Sequence, residues 1–543
     1  MSRNACFGAG VAVLLAIPGA SWGQAPSSAV GTEALGTVTF PVSCSASAQA
    51  EFNRATALLH HMTYPQAREA YAQVAKTDPR CALAHWGIAM TLFQPLWPTR
   101  PSPEELRRGW GEVEQARDLV PATERERLFV DAAGAFFQAP DSADYWARIR
   151  RWELAMERLY TAFPQDPEGT VFYALALLAL PPSEPVSDRT HRERAATLLL
   201  SVYQQNPDHP GAMHYLVHAD DAPGREHDSP EIIRKYAMIA PHNAHALHMP
   251  THIYTRLGDW NAVIGGNLAA ADAALETPAG DSGQYVWDEF PHAMEYLVYA
   301  YLQKGADDSA LAQLGRLHGT ERLQPTFKTA FHLASTSARY ALERHAWSEA
   351  RSLVPREPPA LAWDRFPWAE AVTWFARGLG AAHEGKADEA RAAVTRLAGL
   401  DTAATRSGED LFARNIRILR LEVSAWLAQQ ERDTASSVVL LGEAVALELA
   451  TPKHPVTPGP TLPAYELLGD LYMAQARPRD ALVAYQHSLD LYPRRFNSLL
   501  GAARAARAAG SPPLARTLYG QLLEVAGGSN RMEVGEARAF VLR

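Results

Sequence analysis

Residues Leu462–Pro493 read LPAYELLGDLYMAQARPRDALVAYQHSLDLYP. Tyr465, Leu468, Gly469 and Tyr472 recur at steps of one, three and four, and Ala481, Tyr485 and Pro493 follow in a second run. Residues three, four and seven apart share a helix face. The stretch therefore predicts two antiparallel helices. Gly469 and Ala481 are small, which lets the helix axes approach closely. The aromatics fill the gaps between successive pairs, and Pro493 ends the second helix and redirects the chain. The next unit, from Phe496, places Ala515 and Tyr519 34 residues after Ala481 and Tyr485. Ala67, Tyr71 and Asp78-Pro79 occupy the same slots near the start, and Trp374, Gly378, Gly385 and Ala390 do so in the middle. One pair cannot bury its apolar face alone, so the units stack.

This pattern of aromatic, Leu-Gly, aromatic, Ala, aromatic and Pro resembles the tetratricopeptide repeat. The resemblance extends over much of the chain and implies an all-α solenoid of stacked antiparallel helix pairs. First helices of the pairs are expected to start near 48, 82, 170, 210, 244, 291, 331, 371, 462 and 496. Less regular helices are expected in 103–163 and 411–450, and no run of alternating strands is evident. Pro- and Gly-rich loops interrupt the array at Leu96–Pro103, Pro181–Ser187, Thr277–Phe290 and Thr451–Pro463. The expected organisation is a signal peptide over 1–25, a flexible leader over 26–40 and a main helical array over 41–450. A Pro-rich loop over 451–463 and C-terminal repeats over 464–543 complete it.

At 543 residues the chain is too long for one ordinary core and suits an extended array. Apolar and aromatic residues make up 47%, charged residues 20%, and the net charge is −9. No basic run or basic-aromatic patch stands out, which argues against nucleic acid and anionic membranes as partners. Arg3 followed by the short apolar stretch Cys6–Ala20 (CFGAGVAVLLAIPGA) reads as a secretory signal. A cleavage site is expected near Gly23 or Ala25. The alternative, a membrane anchor, is disfavoured by the shortness of the stretch and by Pro18 within it. The mature protein is thus expected to be periplasmic or secreted, with no membrane insertion. Cleavage would leave Cys44 and Cys81, one before the first helix and one after the second. Those points share an end of an antiparallel pair, and an oxidising compartment favours a disulfide between them.

Six histidines fall in three segments: HPGAMHYLVHADD (His214, His218), HNAHALHMPTHIY (His245, His248, His252) and PHAMEYLVYAY (His292). The junctions after Asn206 and Ala240 align without gaps, with Pro207 and Pro241 34 residues apart. Counted from Pro210 and Ala244, His214 and His248 are fifth and His218 and His252 ninth, while His245 is second. Counted from Pro291, His292 is second, Glu295 fifth and Tyr299 ninth. In tetratricopeptide domains these positions of the first helix face the concave groove, so the resemblance implies a groove lined by all six imidazoles. Imidazole suits transition metals, and such a set is expected to hold one or two ions of copper, zinc or iron. Asp221, Glu295 and Tyr299 are expected as oxygen ligands or as partners of the imidazole N–H groups. Pro250 is expected to kink its helix and to re-aim His252.

Two other readings follow from the same residues. Tetratricopeptide grooves bind peptide tails, so a non-enzymatic adaptor for a peptide or protein partner is the alternative. Histidine acting as a metal-free acid and base ranks last, because no nucleophile is paired with it in sequence. No HExxH, GxSxG, CxxC or Gly-rich phosphate loop occurs, so whether the site binds or catalyses stays open. His60 and His61 are expected to cap the first helix or face solvent. His332, His345, His383, His454 and His487 read as isolated. Glu124–Arg127 reads as a solvated face with internal ion pairs, and Trp86, Trp97, Trp110, Trp146 and Trp152 read as packing.

Overall fold

The computed structural model describes residues 34–543 except 98–99, 142–143, 182–184 and 281. The expected signal peptide and the first part of the leader lie outside the described residues. Residues 34–543 form one compact unit.

The unit is an all-α solenoid of tetratricopeptide-like helix pairs. The expected first helices correspond to helices starting at Ala46, Ala82, Pro167, Pro210, Ala244, Glu289, Phe327, Pro367, Ala464 and Phe496. Among the described residues the sheet content is one ribbon, Pro278–Ala279 against Tyr285–Val286, inside the expected loop after Thr277. No helix of the described residues is long and apolar enough to cross a membrane.

The slots act as their chemistry dictates. A Cβ on Gly87 would lie 2.3 Å from the Tyr71 ring, and one on Gly501 would lie 2.3 Å from the Tyr485 ring. Both glycines come sixteen residues after their tyrosine (71 to 87, 485 to 501), so the two ends of the array use one device. The aromatic of a second helix seats against bare backbone of the next first helix. Cys44 and Cys81 are disulfide-bonded with Cα atoms 4.9 Å apart, closing the hairpin Ala46–His60 and Tyr64–Thr77.

The described part of the expected flexible leader is packed instead. Leu35, Val38 and Phe40 are buried, the Thr37 N–H donates to the Asp208 carbonyl at 2.8 Å, and the Phe40 ring meets Phe52, Trp86 and Phe129. Three apolar side chains in seven residues supply the burial that the Gly- and Thr-rich composition obscured.

Thr451–Pro463 is a strap rather than a spacer. The buried Arg339 guanidinium donates to the carbonyls of Gly459 (2.6 Å), Pro460 (2.7 Å) and Thr461 (3.2 Å) and to Thr457 Oγ1 (2.9 Å). Proline-rich chain has few N–H groups but keeps all its carbonyls, and a planar five-donor side chain suits it. Beyond the strap, the buried Arg495 ties the C-terminal repeats to the array through Glu343, Glu466 and the Tyr299 hydroxyl.

Candidate metal centre

Three successive first helices carry the imidazoles. Pro210–Asp220 brings His214 and His218, and Glu289–Gln303 brings His292. The segment between them is split at Pro250 into Ala244–His248 and Pro250–Leu257. The split does not re-aim His252: its Nε2 lies 3.0 Å from His248 Nε2, as an i,i+4 pair requires. All six side chains are buried. They form two triads, His214/His218/His245 and His248/His252/His292, each with ligand nitrogens within 4.8 Å of one another. The triads abut, with the His218 and His252 rings 6.3 Å apart and the His245 and His248 rings 6.4 Å apart.

Four of the six rings are turned by a partner on the far side. His214 Nδ1 donates to the His60 carbonyl (2.5 Å), and His245 Nδ1 to Glu289 Oε1 (3.1 Å). His248 Nδ1 donates to Asn267 Oδ1 (2.6 Å), and His252 Nδ1 to Asp221 Oδ2 (2.9 Å). The Asn267 amide nitrogen is spent on the Val263 carbonyl, so its oxygen faces His248. All four partners accept only. In a neutral imidazole, one donating nitrogen leaves the other as a lone pair. With both rings neutral, the facing pairs His214 Nε2–His245 Nε2 (3.0 Å) and His248 Nε2–His252 Nε2 (3.0 Å) are therefore lone pair against lone pair.

Charge around the triads is matched. Glu289 accepts from Lys328 (2.5 Å), and Asp221 accepts from Arg256 (2.5 Å) and Lys453 (2.9 Å). Burial alone would raise both acids, but these cations and the imidazole contacts hold them well below the usual carboxylate range. Burial and neighbouring histidines push His214, His218 and His248 well below the ordinary imidazole value. His252 is lowered to about 4, mainly by burial, against the raising effect of Asp221. Those four rings are thus neutral near pH 7, the form that binds a metal.

Of the expected oxygen partners, Asp221 orients His252 directly. Glu295 acts one step removed: its Oε2 accepts from His332 Nδ1 (2.5 Å), and His332 Nε2 accepts from His292 Nδ1 (2.9 Å). This relay leaves His292 Nε2 as the free lone pair, and it makes His332 a member of the cluster, not an isolated residue. The sequence count missed it because His332 follows His292 by 40 residues, not 34. Tyr299 is not at the site. One turn along its helix it has passed the imidazole layer and meets Arg495. Tyr296 stands there instead, its hydroxyl 3.4 Å from His252 and its ring 4.8 Å from His248.

His61 caps the C-terminus of the first helix as expected, but neither His60 nor His61 faces solvent; both are fully buried. His60 Nε2 and His209 Nε2 donate to the two oxygens of Glu168 at 2.9 and 3.1 Å. His60 Nδ1 takes the Tyr215 hydroxyl, and His209 Nδ1 takes the Ala212 N–H. Every group in this third cluster has its partner, so it reads as scaffold that fixes the carbonyl holding His214. His61 likewise bridges the Tyr236 hydroxyl and the Leu35 carbonyl, which pins the packed leader.

Access runs beside the strap. A cavity of about 100 Å³ reaches His218 and Asp221 between Trp97, Trp146, Phe412 and Lys453.

No protein-family profile matches the chain, and no curated protein matches it. Solved structures similar to it are helical-repeat proteins. The anaphase-promoting-complex hetero-tetramer Cut9–Hcn1 is 14% identical, with 92% of this chain and 95% of that chain covered and a TM-score of 0.28. A tetratricopeptide repeat protein from Parabacteroides merdae is 13% identical, covering 55% of this chain and 99% of its own, with a TM-score of 0.29. The human IFIT1 dimer with m7Gppp-AAAA is 13% identical, covering 82% and 90%, with a TM-score of 0.35.

Proposed function

We propose that this chain is an exported metalloprotein whose groove holds a pair of transition-metal ions, one on each imidazole triad. The observation that carries the reading is the two facing lone pairs, His214 Nε2–His245 Nε2 and His248 Nε2–His252 Nε2, each at 3.0 Å. Two unprotonated nitrogens repel at that distance unless a cation lies between or beside them. The partners on the Nδ1 side fix this arrangement, as the outer hydrogen bonds of metal-ligating histidines do.

The donor set narrows the metal. All first-row candidates accept imidazole, but iron sites commonly include a carboxylate, and here Asp221, Glu289 and Glu295 are turned to N–H groups and cations. Copper and zinc remain, and copper is preferred. A buried set of neutral ligands with its acids already paired suits the lower charge of Cu(I). Bound copper would supply one-electron chemistry at the mouth of the cavity beside His218, while Tyr296 and Trp97 keep water from the rings. The disulfide supports an oxidising compartment, periplasmic or secreted.

The adaptor reading is weaker. The strap residues Lys453 and Thr457 already lie against Asp221 and Tyr296, where a peptide would approach the histidines. Titrating metal-stripped protein with copper and zinc tests the proposal. It expects saturation at about two ions per chain, and a chain that takes up neither metal refutes it.

A further inference from the structure

Between the strap and the helices Phe327–Leu342, Pro367–His383 and Asp410–Gln430 lies a second, larger cavity of about 280 Å³. Phe331, Trp368, Ile418 and Leu419 give it an apolar wall, and Glu422 and Glu448 also line it. None of the six triad histidines does, so this cavity is independent of the metal reading.

Glu422 is fully buried, and neither of its carboxylate oxygens has a hydrogen-bond partner among the described residues. Glu448 differs: it accepts from the Ala464 N–H (3.2 Å) and the Tyr492 hydroxyl (3.4 Å). The cations on the cavity wall are all engaged. Arg256 and Lys453 hold Asp221, Arg225 holds Asp220, Arg189 pairs with Glu193, and Arg192 donates to the His218 carbonyl. The unmatched group is thus an acid on a wall that also carries aromatic rings. Buried polar groups without partners are rare in folded proteins and mark missing ligands or waters. Aromatic faces attract cations, and a mostly apolar cavity with a few aimed polar groups is the usual form of a small-molecule site.

The geometry points to a binding site for a small primary amine, its ammonium group on Glu422 and its apolar body against Trp368 and Phe331. Burial and the nearby Glu448 raise the Glu422 carboxyl well above its ordinary range, which favours its protonated form. A neutral amine entering the cavity takes that proton, becomes ammonium and leaves the carboxylate as its acceptor.

The test is calorimetric titration of the full chain with 2-phenylethylamine, 2-phenylethanol and phenylacetate, in metal-stripped and metal-loaded protein. The amine is expected to bind in both preparations and to bind tighter than either analogue. Glu422→Gln is expected to weaken amine binding by about tenfold or more, as loss of a charge-assisted hydrogen bond does, with the thermal midpoint unchanged or raised. The analogue series on the unaltered chain keeps the test decisive should that variant fold poorly. Equal amine binding by Glu422→Gln overturns the site. So does tighter binding of phenylacetate, which would put Arg192 and Lys453 in charge, and so does an amine that binds neither preparation.

Discussion

His214 Nε2 and His245 Nε2 face each other at 3.0 Å from adjacent repeats, each ring held by an acceptor on its other nitrogen. The contact is unfavourable for two neutral rings alone and favourable once a metal shares them. It turns a histidine-rich groove into a chemically specific arrangement, because surface-decorating histidines would have no reason to have their tautomers fixed from behind.

Replacing His248 by Ala removes a ring that touches His252, His292 and Tyr296. It is expected to lower metal affinity far more than replacing the exposed His345, measured by competition with a chromophoric chelator. Asn267→Leu keeps the bulk but frees the His248 ring, and it is expected to cost about 10–100-fold in affinity. Equal affinities for all three variants would remove the triads from any metal role.

The disulfide encloses a separation of 37 residues. Reducing it, or replacing both cysteines by Ser, is expected to lower stability by about 3–4 kcal/mol on the chain-entropy account. Denaturant unfolding of the two forms checks this, and coincident curves would show that the hairpin owes nothing to the bridge.

Gly501→Ala would drive a Cβ into the Tyr485 ring, while Gly520 has nothing within 4 Å of the added atom. Overpacking is expected to cost about 1–3 kcal/mol at Gly501. Gly520→Ala in the helix Pro512–Ala526 is expected to gain up to about 1 kcal/mol. Thermal midpoints moving in the same direction for both would contradict the ring-on-glycine seat.

Acid should unfold the chain through buried histidines that are not members of the triads. Burial lowers His61, His383 and His454 to about 3. The unfolded chain then takes up these protons near 6.5 and the folded chain only near 3. Their contribution is therefore complete above about pH 6.5 and is lost progressively as the pH falls towards 3. His383 is sandwiched by Trp347 and Trp426 at 3.8 and 4.1 Å, so His383→Phe keeps the stack. The variant is expected to flatten the fall of stability below pH 6.5, and an unchanged slope would count against this linkage.

The repeat scaffold was legible because its slots are steric. A glycine sixteen residues after a tyrosine means the same contact at residue 87 as at 501. Histidines in register were legible for the same reason, since equal slots on adjacent helices are neighbours. What the register could not show came from loops and from residues outside the slots. His332 sits behind an insertion that breaks the 34-residue count, Tyr296 lies a turn before the slot that named Tyr299, Asn267 reaches His248 from the second helix of its pair, and Glu289 lies in a stretch expected to be loop. Leu35, Val38 and Phe40 carry no periodicity at all, so their burial depended on a surface formed by distant helices.

The most direct measurement is the metal content of the full chain, purified without a polyhistidine tag and analysed by mass spectrometry of the elements before and after copper loading. The account predicts about two ions per chain, falling when either His214 or His248 is replaced by Ala, because each belongs to a different triad. A chain that stays metal-free after loading, or one whose metal content is unchanged in both variants, would contradict it.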